Sequence, residues 1–536
     1  MRNRASWFVR LASLLLVAAM LLVLMVPAAS ADDISRTRGF RKSVTLDGIR
    51  EHQAAFQSFA DASDGKNRLS GTSGFDASAQ YVYDRMAAAG YDVSFQEFTF
   101  LLVSDRTPPV LQQVSPTAKT YVDGPDYQTM QYSGSGDVTA LLTAVDLLVP
   151  SPAPNSSTSG CEAEDFAGFP AGSIALMQRG TCSFRIKADN AAAAGATAVI
   201  IFNEGSPGRA AAFGGALNPP LLDRPVVGAS FAVGDELRNG VLNGPTSVIA
   251  HLRTDTIAEP RTTRNVIAET TGGNPNRVIV VGAHLDSVSR GPGINDNGSG
   301  SATILEVAEV FAEQERVPRN RLRFMWYAAE EGGLIGSTFY VNSLSQAERD
   351  RIELMLNFDM IGSPNFVRFV YDGNNSTFPA GPGVQPGPPG SGAIEQVFLD
   401  YFASQGLLNE AASLSGRSDY GPFISSGIPI GGLFTGAEGA KTARQAVDYG
   451  GVAHQRYDPC YHLACDTFEG SGGGATYPLA LTGLDQMSDA VAHAVLLFSR
   501  RNFAFDPLVD PAVSASAGVS GANAAQATAD AGPVDR

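Results

Sequence analysis

Three apolar runs of β character each end on side chains suited to chemistry, and this arrangement restricts the fold more than any other feature. VIVVGA (residues 278–283) runs into His284, LRFMWYA leads into Glu330 and Glu331, and LMLNFDM carries Asp359. Helical stretches separate them. GSATILEVAEVFAEQ has apolar residues at helical spacing, GSTFYVNSL follows the glutamates, and AIEQVFLDYFASQG follows a Pro/Gly-rich loop at 379–392. Strands alternating with helices read as an α/β three-layer sandwich around a mostly parallel, mixed central sheet. Functional groups in such sheets gather beyond the carboxyl ends of the strands. His284, Glu330, Glu331 and Asp359 are therefore expected to share one site.

Asp296 and His462 complete the set. Two divalent metals that share one carboxylate need a His and a carboxylate each, plus the bridge. A further carboxylate beside the open position must then move protons. The six residues match that inventory. His284 lies two positions before Asp286, and on a strand end these positions share a side, so Asp286 is expected to accept the second imidazole N–H. Asp296 lies in the Gly-rich loop GPGINDNGSGSA, which has neither the lysine of a Walker loop nor GxGxxG spacing. Glu330 and Glu331 are adjacent at a strand end and point in different directions, so one can ligate while its neighbour stays off the metal. Asp359 follows a buried strand, where its charge needs a partner. His462 and Tyr461 lie between Cys460 and Cys465, and a disulfide there would hold both rigidly.

The N-terminus reads as an export signal of residues 1–31. Arg2, Arg4 and Arg10 precede an apolar run from Leu11 to Val26, and Ala29-Ser30-Ala31 offers a cleavage site before Asp32. A membrane anchor is the alternative, disfavoured by the small-residue exit and the acidic pair after it. Acidic side chains number 54 against 38 basic ones, and loss of the three leader arginines brings the formal charge to about −19. Such a charge argues against nucleic acid and anionic membranes as partners. Four cysteines form two local pairs, Cys161 with Cys182 and Cys460 with Cys465. In an exported chain these read as disulfides; zinc binding is the alternative, but the paired CxxC form is missing.

Residues 45–98 read as helix, loop, helix and strand, with Phe75, Ala79, Val82 and Met86 on one helix face. From about 105 to 255 short β-rich runs are broken by Pro, Gly, Ser and Asn, as though a separate module were spliced into a host. The expected organisation is a host at 40–105 and 256–505 and an insert at 106–255. The tail 506–536, rich in Ala, Gly and Ser, is expected to be disordered.

The motifs GAHLDSVS, GPGIND, AEEGGLIGS, LNFDMIGSPN, GRSD, GGLFTGA and CYH strongly resemble those of the secreted bacterial dizinc leucine aminopeptidases, from about residue 262 to 470. The stretch PAGSIALMQRGTCSFRIKADNAAAAGATAVIIFNE resembles a protease-associated (PA) domain. The resemblance implies one zinc held by His284 and Asp359, a second held by Glu331 and His462, and Asp296 bridging them. It implies that Glu330 is the general base and then the acid, and that Tyr461 hydrogen-bonds the tetrahedral intermediate. Met360, Gly416, Arg417 and Phe434 match positions lining a pocket for large apolar N-terminal side chains. Two positions depart from the wider family: Asn297 follows Asp296 where many members have Asp-Asp, and SDYGPF (418–423) stands where many have an SDH segment.

The expected activity is hydrolysis of N-terminal, leucine-like residues from peptides, by a hydroxide bridging the metals and a Glu base. Peptide or protein substrates with a free N-terminus are the expected partners, and a secreted monomer the expected state. A structural calcium is left open, with no residues assigned to it. A dizinc carboxypeptidase or dipeptidase could use the same ligands. An aminoacylase-like enzyme would carry a dimerisation domain between the third and last ligands, for which residues 359–462 leave little room. A non-catalytic binding protein on this scaffold would have lost ligands or the base.

Overall fold

The computed structural model describes residues 28–511 except 153, 154, 207, 208, 382, 471–479 and 505. Most of the expected export signal, 1–27, and most of the expected tail, 512–536, lie outside the described residues. The tail's first residues rest on the body: Asp510 accepts the backbone N–H groups of Gly390 (2.9 Å) and Ala393 (3.1 Å) at the start of the helix Ser391–Ser404.

Four strands form the parallel heart of the sheet, in the order Ile430–Phe434, Ile352–Phe358, Asn274–His284 and Asn320–Tyr327. Antiparallel neighbours flank them on both sides, Phe369–Tyr371 at one edge and Gly244–Glu269 at the other. Side chains alternate across the central strands, and both faces are covered. Ile279, Val281, Phe324, Trp326, Leu354 and Leu356 pack with the helices Leu46–Ala62, Ser73–Ala88, Gly298–Glu313 and Leu481–Arg500. Val278, Val280, Met325, Tyr327 and Met355 face Tyr340 and Phe423 of the helices Ile335–Ser343 and Gly421–Ser425. The period-2 alternation of the strands thus builds three layers. Phe75, Ala79, Val82 and Met86 all lie buried on one face of their helix.

Two strands run much further than their sequence suggests. Asp92–Ser115 pairs antiparallel with Gly244–Glu269, from Asp92 opposite Glu269 to Ser115 opposite Ile249. The positions expected as boundaries, near 105 and 256, fall inside this ribbon. Its register shifts between Asp105 and Thr107 and between Thr107 and Val110. Pro108 and Pro109 have no N–H to give to the ladder, so the strand bulges there instead of ending. Beyond the bulge the sheet continues through Gly136–Ala144, Ile174–Gln178, Ala198–Phe202 and Val226–Ala229. These strands have apolar clusters of their own on their two faces. Cys161 bonds to Cys182 and Cys460 to Cys465. Among the described residues no helix is long and apolar enough to cross a membrane.

Candidate metal centre

Each strand end delivers one part of the site. His284 is the last residue of its strand, and its Nδ1 lies 3.2 Å from the backbone oxygen of Asp286. A carbonyl only accepts, so Nδ1 carries the proton and Nε2 is left to face Asp296 Oδ1 at 3.3 Å and Asp359 Oδ1 at 3.4 Å. The Asp286 carboxylate, expected to take this N–H, stands 3.6 Å away and instead accepts the backbone N–H of Glu330 at 3.1 Å. Asp286 therefore touches the ring through its main chain and the Glu330 turn through its side chain.

His462 approaches from the opposite side. Its Nε2 is 3.2 Å from Asp296 Oδ2 and 3.1 Å from Glu331 Oε2. Asp296 thus places one oxygen toward each imidazole. Two groups of potential ligand atoms result, His284–Asp296–Asp359 and Asp296–Glu331–His462, each within 4.8 Å and sharing Asp296. Asp359 Oδ1 and Glu331 Oε1 are buried without a hydrogen-bond partner. Buried carboxylate oxygens left in that state are costly, and a dication in each group would satisfy them. The donor set of imidazole and carboxylate suits zinc.

The electrostatics agree. Burial alone would depress the His284 imidazole, but Asp359 and Glu330 outweigh it and carry its pKa well above the ordinary value. Burial likewise opposes charge on His462, and Glu331 and Asp296 reverse it. The surrounding carboxylates are thus what raise both imidazoles. Arg68, fully buried, supplies a fixed countercharge to Asp286, Asp466, Asp296 and Glu331. It donates to the carbonyls of Leu285, Pro292 (2.8 Å) and Gly293 (2.6 Å), so it also shapes the loop between His284 and Asp296. Burial lowers its pKa to about 10 against the pull of Asp286 and Asp466.

The backbone is bent where the side chains must diverge. Ala329 (φ 53°) precedes Glu330, Met360 (φ 51°) follows Asp359, and His462 itself has φ 58°. Left-handed conformations of non-glycine residues cost energy and cluster at functional sites. Gly300, in the first turn of the helix Gly298–Glu313, permits a close approach: a Cβ there would lie 2.2 Å from the Phe358 carbonyl.

Several residues that position the ligands are not picked out by residue type or spacing. Asp466 accepts the backbone N–H of Asn295 and of Asp296, and Ser418 donates to Asp359 Oδ2 at 2.6 Å. Asn297 caps its helix through Gly300 N and donates to the Phe358 carbonyl, so the departure from Asp-Asp leaves a residue that joins two elements. Tyr420, in place of the SDH histidine, is buried with its hydroxyl accepting the Gly416 N–H at 3.1 Å. Ser418 lies within the GRSD motif and Asp466 directly follows Cys465, which is the signal that could have found them.

A cavity of about 1120 Å³ opens over the cluster. Met360, Arg417 and Phe434 line it, together with Phe369 and Tyr371; Gly416 does not, lying between the lining residues Ser415 and Arg417. Phe434 stacks on Phe369 with centroids 6.0 Å apart. Arg417 donates to Glu438 at 2.7 Å and to the Tyr461 hydroxyl at 3.4 Å. Burial raises the Tyr461 phenol well above its ordinary value despite Arg417, so the hydroxyl keeps its proton. A third buried group, His52 with Glu306 and Glu309, lies between helices. Arg85 donates to both Glu309 oxygens and Thr45 to Glu306, while His52 Nε2 lies 3.5 Å from Glu309 Oε2.

Comparison with known proteins places this geometry in context. Residues 265–476 match peptidase family M28, and residues 143–237 match the PA domain. An aminopeptidase of Pseudomonas aeruginosa is 47% identical over 439 residues, covering 81% of this chain and 78% of that protein. Leucine aminopeptidase 2 of Trichophyton rubrum is 37% identical over 475 residues, covering 88% and 87%. Among solved structures, an aminopeptidase from Aneurinibacillus sp. strain AM-1 superposes with a TM-score of 0.65 at 25% identity, covering 89% of this chain and 98% of that one. A zinc aminopeptidase from Bacillus subtilis gives 0.58 at 25% identity, covering 83% and 94%.

Proposed function

This chain belongs to peptidase family M28, and we propose that it is a secreted zinc-dependent aminopeptidase removing large apolar residues from peptide N-termini. The observation that carries the reading is the position of Asp296 between His284 and His462, one oxygen toward each, with Glu330 beside the shared centre. His284 and Asp359 would hold one zinc, Glu331 and His462 the other, and Asp296 both. Zinc bound there supplies Lewis acidity, polarising the scissile carbonyl and lowering the pKa of water.

The protein's own groups do the rest. Glu330, fixed at its backbone by Asp286, takes the proton of the attacking water and returns it to the leaving amine. Tyr461, stacked on the His462 ring at 3.8 Å and restrained by the Cys460–Cys465 loop, donates its hydroxyl proton to the oxyanion. The carboxylate-rich centre favours a protonated α-amine, which directs cleavage to the terminus. Met360, Phe369, Tyr371 and Phe434 offer the first side chain an apolar wall.

The residues 40–105 and 256–505 would form the peptidase unit and 106–255 the inserted PA unit. Removal of residues 1–31 on export would suit a chain whose four cysteines are all in disulfides. The test compares initial rates on leucine 4-nitroanilide and its N-acetyl form. Cleavage of the free amine alone supports the reading; equal cleavage of both contradicts it.

A further inference from the structure

Tyr461 is tied to the PA domain by a chain of charged side chains. Arg417 makes the first two links with different nitrogens: Nη2 donates to the Tyr461 hydroxyl at 3.4 Å and Nη1 to Glu438 Oε1 at 2.7 Å. The same Glu438 oxygen lies 3.9 Å from Nη2 of Arg179. Arg179 belongs to residues 143–237, which match the PA domain, whereas Glu438, Arg417 and Tyr461 lie within the peptidase match at 265–476. One carboxylate oxygen thus stands between a guanidinium of each part.

Each link is held from behind. The backbone N–H of Arg179 donates to the Phe202 carbonyl at 2.9 Å, and its guanidinium lies over the rings of Phe213 (5.3 Å) and Phe184 (5.9 Å). Arg179 is buried, so solvent screens its charge little. On the peptidase side, the carbonyls of Ala437 and Gly439 accept the backbone N–H groups of Asp458 (2.9 Å) and Tyr457 (2.8 Å), which fixes the main chain on either side of Glu438. The direction of the Glu438 carboxylate is then left to its cationic partners. Burial would raise its pKa, and Arg417, Arg179 and Arg209 together pull it well below the usual carboxylate range, so it is ionised.

A guanidinium is planar, so anchoring Nη1 on Glu438 sets the direction in which Nη2 reaches Tyr461. A phenol oxygen that accepts a hydrogen bond from a cation also becomes a stronger donor through its own O–H. Displacing the Glu438 carboxylate would turn the fork and weaken that donation. We propose that Arg179 of the PA domain is a positioning residue for catalysis: through Glu438 it fixes Arg417 against the Tyr461 hydroxyl, so the PA domain contributes to kcat. This rests on the aminopeptidase reading, with Tyr461 as the oxyanion donor, and adds a dependence of the chemical step on the PA domain.

The test is a double-mutant cycle on the mature full-length protein with leucine 4-nitroanilide. Arg179→Met should lower kcat by about two- to thirtyfold, the range of couplings carried through such contacts, with KM and zinc content unchanged. Arg179→Lys, which keeps the cation, should recover part of the loss. In Tyr461→Phe, whose residual rate is read at high enzyme concentration, Arg179→Met should lower kcat no further. The proposal is overturned by an unchanged kcat in Arg179→Met, by a change confined to KM, or by an equal fall in both backgrounds, since a general loosening would not need the phenol. If Arg179→Met does not fold, Glu438→Gln, nearly the same in shape, takes its place in the cycle, with the same expected and contrary results. Wild-type cleavage of leucine 4-nitroanilide but not of its N-acetyl form keeps the aminopeptidase reading even where the cycle fails, whereas failure to cleave the free amine sinks both.

Discussion

Asp466 grips the backbone of Asp296: its Oδ2 accepts the Asp296 N–H at 3.0 Å, while its Oδ1 accepts that of Asn295 at 2.7 Å. Asp466 directly follows Cys465, which closes the loop bearing His462. The shared carboxylate and one of its imidazole partners are thus tied to a single short segment, although 166 positions separate them in sequence.

Asp466→Asn keeps the size of the side chain but turns one acceptor into an N–H₂ donor facing a backbone N–H. Loss of such a supporting contact lowers metal affinity or activity by about 10–100-fold. We expect a fall of that order in kcat/KM on leucine 4-nitroanilide, with faster loss of zinc on dialysis. Wild-type kinetics and metal retention would show that the grip on Asp296 is dispensable.

Glu330→Gln removes proton transfer and leaves the ligands untouched. The expected outcome is a drop in kcat of about 10²–10⁴-fold, with metal content unchanged by elemental analysis. Zinc lost in parallel with activity would instead make Glu330 a ligand.

The Cys460–Cys465 bond closes the loop in which His462 takes its left-handed backbone conformation. Replacing both cysteines by serine should cost about 2 kcal/mol of stability from so short a loop. The effect on zinc content should be larger than this suggests, because the ring would lose its fixed approach to Asp296. Chemical denaturation and metal analysis on the same preparation separate the two effects.

His493, buried between Thr37 (Nδ1 to Oγ1, 2.8 Å) and the Tyr401 ring, is held neutral. Burial, aided by Arg41, lowers its pKa to about 3, while the unfolded chain would titrate near 6.5. Because the folded-state pKa is the lower one, this contribution is fully present above about pH 6.5 and is lost as pH falls toward 3. The decline amounts to about 1.4 kcal/mol per pH unit at most. His493→Gln should therefore show a shallower loss of stability than wild type between pH 6.5 and 4.5. Parallel slopes in denaturant titrations at these pH values would contradict it.

How much of this was legible in the sequence follows from the range of the forces involved. The strands ending at His284, Tyr327 and Phe358 were readable because apolar runs and chemical side chains alternate on a short scale. The grouping of six residues could be expected because few folds bring charges to several strand ends at once. The Asp92–Ser115 ribbon was not readable past Pro108, since proline marks a break locally while the partner strand carries the pairing across it. Asp466, Ser418 and Arg68 act through contacts distant in sequence, and no spacing announces them. The Asp286 side chain turned from the imidazole to the Glu330 backbone because an orphan N–H at a strand end also needs a partner. Arg179 lay within a recognised stretch, but nothing in that stretch says which way it faces.

The central claim is that one carboxylate joins two zinc sites. Metal-free protein titrated with zinc, with bound metal counted and leucine 4-nitroanilide hydrolysis followed in parallel, tests it most directly. The account predicts two zinc ions per chain and an Asp296→Ala variant that loses tight binding of both. A single ion per chain at full activity, or two ions bound normally by Asp296→Ala, would contradict it.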